Sequence, residues 1–149
     1  MKLSNENVRK AAEAVAQLCH PTNRLPVLAQ LAAARNLSAL RTAWAPVNDV
    51  RNKLVEEHGE QNGQGFHVKP TMPGWPAFVK ACELMGAEEQ DVPVQPLKIA
   101  DIEAGYSRDP ETGKRGLLEI GAEQLGDLIE LEIITGCGCG EKSEREVEA

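Results

Sequence analysis

The run from Pro26 to Gly59, PVLAQLAAARNLSALRTAWAPVNDVRNKLVEEHG, sets the architecture before any other feature is considered. Within it Ala33, Leu37, Leu40, Trp44, Val47, Arg51 and Leu54 recur alternately four and three residues apart. That spacing holds one narrow stripe on one side of a long helix. Gly59 after His58 is the residue type that ends such a helix. Pro46 falls inside the run; it lacks an N–H and collides with the carbonyl one turn earlier, which predicts a kink near Thr42–Ala45. A stripe this long needs a cover, either from the rest of the chain or from another subunit.

The first available cover precedes it. Val8, Ala11, Ala12, Val15, Leu18 and Cys19 repeat at helical spacing behind Ser4, a good N-cap, with Glu6 in the first turn where the helix dipole favours an anion. Leu3 is placed to staple onto the next turn. The run ends where His20 meets Pro21, because the residue before proline is pushed out of the helical region. Two helices joined by a short turn over Pro21–Leu25 make a helical hairpin whose second arm is the longer.

After the hairpin the chain changes character. GEQNGQG (Gly59–Gly65) has loop composition, and Pro70 and Pro73 stop the brief alternation of Phe66, His67 and Val68, so the stretch near 59–73 is read as a mobile arm. Trp75, Phe78, Val79, Cys82, Leu84 and Met85 predict a short helix from about Gly74, with Pro76 acceptable in its first turn and Gly86 at its end. Asp91–Ile99 (DVPVQPLKI) alternates like an edge strand, and its two prolines exclude a central sheet position. RDPETGKRG is a turn signal, with GLLEI as the returning strand of a small C-terminal β-hairpin. Ala122 to about Ile134 predicts a last short helix weakened by Gly126. The expected fold is α+β and mostly α, one domain over residues 1–135, followed over 136–149 by a flexible Gly/Cys-rich and acidic tail.

Hydrophobic residues are 42% of the 149 and aromatics only 3%, so the core must be built from Ala, Leu, Val and Ile. A formal charge of −7 works against sustained contact with phosphate backbones, and direct nucleic-acid binding is not expected. No segment approaches the roughly 20 apolar residues of a membrane span, and MKLSNENVRK lacks the apolar run of a secretion signal. Cys19, Cys82, Cys137 and Cys139 lack the dense spacing of a disulfide scaffold and read as reduced thiols of a cytoplasm.

The opening MKLSNENV, then LPVLAQLAAARNLSALRTAW, VRNKLVEEHGE, VPVQPLKIADIE and the closing IGAEQLGDLIELE resemble, in their order, a family of small uncharacterised helical proteins encoded by tailed bacteriophages and prophages. The features cover most of residues 1–132. TMPGWPAF and GCGCG depart from the family pattern. The family has no established catalytic residues, so the resemblance implies an origin and an accessory role, and carries over no site.

Several constellations of residues also admit plainer readings. Cys137 and Cys139 in GCGCG offer two thiolates to a metal, yet zinc takes four ligands, and nothing in the sequence brings Cys82, His58 or His67 to them. No carboxylate or nucleophile accompanies His20, His58 or His67 in a recognised catalytic arrangement. Glu56, Glu57, Glu60, Glu88 and Glu89 suggest nucleic-acid mimicry, but solvated helix ends account for them equally. Arg35, Arg41 and Arg51 are candidate anion contacts or ordinary partners of surface Glu. Of the scarce aromatics, Trp75 between two prolines is the expected docking anchor.

The expectation is therefore a non-catalytic, cofactor-free phage or prophage interaction protein. It acts as a small virion or assembly component in the virion or the host cytoplasm. It self-associates through Leu37, Leu40, Trp44, Val47 and Leu54, with Trp75 as a further anchor and another phage or host protein as partner. The alternative is an oligomeric inhibitor of a host defence system that sequesters a small anionic ligand or occludes a host protein.

Overall fold

The computed structural model describes residues 1–103 and 120–136. Their elements, in chain order, are β1 (Lys2–Ser4), α1 (Asn5–Leu18), α2 (Val27–His58), β2 (Glu60–Asn62), β3 (Gly65–His67), α3 (Trp75–Ala87), β4 (Glu89–Asp91), β5 (Leu97–Lys98), α4 (Ile99–Glu103), α5 (Ala122–Glu130) and β6 (Ile134–Thr135). The architecture is α+β and mostly α, and α2 is the long helix that its stripe predicts. The chain forms two compact units: Met1–Arg9 with Leu40–Val92, and Lys10–Ala39 with the described residues from Pro93 onward.

In the first unit β1 pairs antiparallel with β4, matching Leu3 to Gln90. The ladder extends into reciprocal backbone bonds between Met1 and Val92. Ser4 caps α1 as its residue type requires, its Oγ accepting the Asn7 N–H at 3.2 Å. Asn5 is buried and bonded at both ends of its amide: its Nδ2 donates to the Met85 carbonyl (2.8 Å) and its Oδ1 accepts from Gln90 Nε2 (2.7 Å). That amide fastens the first turn of α1 to the end of α3 and to β4. Gln90 Nε2 also lies 3.2 Å from the Ala43 carbonyl. The neighbouring Thr42 carbonyl is the one that Pro46 deprives of its helical donor. α2 nevertheless continues as helix on both sides of Pro46, so the predicted disturbance does not divide it.

Two glycines let other segments reach the C-terminus of α2. A Cβ on Gly59 would strike the His67 carbonyl, and one on Gly74 the His58 carbonyl. The stretch read as a mobile arm contains an antiparallel hairpin, β2–β3, in which Asn62 pairs with Gly65 around a two-residue turn. Gly63 there has φ 59°, a conformation that glycine adopts without steric cost. Alternating apolar residues fail to announce it because β2 is exposed throughout and β3 nearly so. α3 starts at Trp75 behind Gly74, with Pro in its first turn and Phe78 buried.

In the second unit Ala11, Ala14, Val15 and Leu18 of α1 and Ala29 and Ala33 of α2 are buried, the small-residue core expected of a chain poor in aromatics. Asn23 closes the end of α1, its Nδ2 donating to the Gln17 (2.9 Å) and Leu18 (3.3 Å) carbonyls. Asn36, fully buried, clamps the backbone of Gln95: its Nδ2 donates to the carbonyl (2.8 Å) and its Oδ1 accepts the N–H (2.9 Å). Both capacities of the side-chain amide are thereby met by main chain.

Of the expected returning strand GLLEI, residues 116–119 lie outside the described residues, and Ile120 is not in a strand. The described partner of β5 is β6, which runs parallel to it and pairs Leu97 with Ile134, both buried. The last helix stops at Glu130, short of the expected Ile134. Glu132 takes φ 58°, the Glu132 N–H reaches the Ile129 carbonyl (3.1 Å), and the Ile133 N–H reaches the Leu128 carbonyl (2.9 Å). This is a Schellman stop, with Leu128 and Ile133 as its buried apolar pair and Glu where glycine is usual. Among the described residues, no helix is long and apolar enough to cross a membrane.

Candidate functional site

Two concave surfaces lie in the first unit, both walled by the second half of α2 and by α3, and both touched by Val47 and Met85. The larger, of about 690 Å³, is a groove lined by Pro46, Val50 and Leu54 of α2 and by Ala81 and Leu84 of α3, with Glu88 and Glu89 at its rim. Its apolar residues are poorly covered: Leu84 is 70% exposed and Val50 47%. Glu88 is exposed; Glu89 shares its charge with Lys2 at 3.3 Å across the β1–β4 edge. The other surface is a cleft of about 600 Å³, lined by Trp44 and Arg51 of α2, Phe78, Val79 and Cys82 of α3, and the Glu6–Arg9 pair of α1. Arg9 is held to Glu6 through Nε (3.3 Å) and Nη2 (2.5 Å), whereas Arg51 makes no ion pair among the described residues. Burial pushes the Cys82 thiol above its ordinary value of 9.0, and the Arg51 guanidinium pulls in the opposite direction.

The expected interface stripe divides under this geometry. Leu40 is fully buried and Val47 nearly so within the chain itself, and Leu37 and Trp44 are half-buried. The centre of the stripe is therefore core, and the large apolar residues that α2 exposes are Val27, Leu28 and Leu31 in its first turns and Val50 in its second half. Trp75 is not in an extended or turn segment; it is the first residue of α3, half-buried, its ring 5.8 Å from that of Phe78 at 40°. Its two flanking prolines leave it at a helix start, where the second of them fits the first turn. The anchor that the groove presents is Leu84, which sequence reasoning absorbed into the apolar face of the helix; only its exposure sets it apart.

Arg35 belongs to the second unit and Arg41 and Arg51 to the first. Within the first unit Arg41 and Arg51 lie ten residues apart on α2, and of the two only Arg51 lines either of the two concave surfaces. The Nδ1 of His20 meets the Thr22 hydroxyl at 2.8 Å, a local turn contact. His67 has its Nδ1 buried without a hydrogen-bond partner among the described residues. Among the described residues no group of three His, Cys, Asp or Glu side chains is placed to hold a metal ion; Cys137 and Cys139 lie outside them. Compared with protein-family models, with curated proteins and with solved structures, the chain has no significant match.

Proposed function

We propose that this protein acts by binding another protein, and that the groove between the second half of α2 and α3 receives an apolar segment flanked by basic residues. The observation that carries this reading is Leu84, 70% exposed beside Val50 on a concave surface with an acidic rim. A leucine so placed loses solvation-driven stability until something covers it, and full burial of such a side chain is worth about 1.5–3 kcal/mol. Glu88 and Glu89 and the net charge of −7 set the sign of the partner. Opposite charges around an apolar centre speed encounter and exclude acidic competitors. An amphipathic helix laid into such a groove is an established way for short segments to be recognised. The phage or prophage setting implied by the sequence resemblance belongs to the same proposal, with the groove serving assembly or the occlusion of a host protein.

The test uses a synthetic amphipathic helical peptide of Leu and Lys, followed by fluorescence anisotropy against the full-length protein. Saturable binding is expected, weakened at least tenfold by Leu84→Ser and absent for the matching Leu/Glu peptide. Equal binding of both peptides, or indifference to Leu84→Ser, contradicts the reading. So does a dimer in light scattering that Leu84→Ser dissolves, since it would assign the groove to a second copy of the chain.

A further inference from the structure

The cleft on the other side of the shared Val47–Met85 wall is built differently from the groove. Trp44 and Phe78 give it two aromatic surfaces, and Phe78, Val47 and Val79 make its interior apolar. Arg51 stands seven residues after Trp44 on α2, about 10.5 Å farther along the axis and close to the same face. Its guanidinium is exposed and makes no ion pair among the described residues, whereas Arg9 is already held by Glu6. Burial raises the pKa of the nearby Cys82 thiol above its ordinary value, and Arg51 pulls the other way. The volume, about 600 Å³, lies within the range that encloses small organic ligands.

We infer that this cleft binds a small aromatic monoanion, its ring lying against Trp44 and Phe78 and its single carboxylate, sulfonate or phosphodiester on Arg51. Arginine suits that role because its planar fork pairs two donors with two oxygens of one anion. The ring-to-anion span must fit within the roughly 10 Å between Trp44 and Arg51. Glu83, exposed on the same lining, repels further negative charge and so selects one charge over several. This site shares no exposed apolar anchor with the groove, and neither proposal depends on the other.

The probe is 2-naphthoate, titrated calorimetrically into the full-length protein, with neutral 2-naphthylmethanol as its uncharged counterpart. Saturable one-to-one binding of the naphthoate is expected, at least tenfold tighter than that of the alcohol. Arg51→Gln, at an exposed position, removes that preference while the circular dichroism spectrum stays unchanged. Leu84→Ser, which alters the groove and not the cleft, leaves naphthoate binding as it was. The inference is overturned by any of three results: no saturable binding below millimolar concentration, a naphthoate preference that survives Arg51→Gln, or equal weakening by Leu84→Ser.

Discussion

Asn36 shows how a polar residue in the middle of an apolar helical stripe serves the fold. Its amide lies fully buried and meets the carbonyl and the N–H of Gln95 at 2.8 and 2.9 Å. Asn36→Ala removes both bonds and strands two backbone groups, so it is expected to lower unfolding free energy by about 2–3 kcal/mol in urea denaturation. A loss under about 0.5 kcal/mol would mean that water replaces the amide without cost. Sequence alone shows Asn36 beside the stripe but not its partner 59 residues away. Asn5 and Asn23 repeat the lesson, since each answers main-chain groups that only the folded chain brings near. Ser4 was legible for the opposite reason: its acceptor role is fulfilled three residues ahead, within the reach of local pattern.

Among elements, the longer helices were legible, whereas the short α4 was not, and of the described strands β5 alone lies inside an expected one, Asp91–Ile99. α1, α2 and α3 carry apolar spacing, a cap or proline at the start and a terminating residue, all local signals. β1, β4, β5 and β6 are two or three residues long and acquire their pairing from distant partners, such as Leu97 with Ile134. No window of sequence holds that information. The end of α5 depends on a residue that conceals it: Glu132 occupies the left-handed conformation that glycine would advertise. Glu132→Gly is expected to raise stability by about 0.5–1 kcal/mol, measured as an upward shift of the thermal midpoint, because the Cβ penalty disappears. Glu132→Ala keeps the penalty and should give no such gain; an equal gain from both would attribute the effect to the lost carboxylate.

For the whole molecule, the decisive change from the sequence reading is which part of α2 is core. Leu40 was the natural centre of a subunit contact, and it is fully buried within one chain. Leu40→Asp places a charge where nothing neutralises it, so a loss of more than about 3 kcal/mol in stability is expected, seen as unfolding and not as dissociation of a folded assembly. A folded variant whose only change is a smaller mass in light scattering would restore the subunit contact. With Leu40 and Val47 withdrawn, the helical residues Val50, Leu54, Ala81 and Leu84 line the groove, a patch that periodicity cannot separate from core because both kinds of residue recur at the same helical spacing.

The claim that this patch is the docking surface is tested most directly by methyl NMR of the full-length protein titrated with the Leu/Lys peptide. The account predicts shift changes concentrated on Val50, Leu54, Ala81 and Leu84, with Leu37 and Leu40 unmoved. Changes centred on Leu37 and Leu40, or none that saturate, would contradict it.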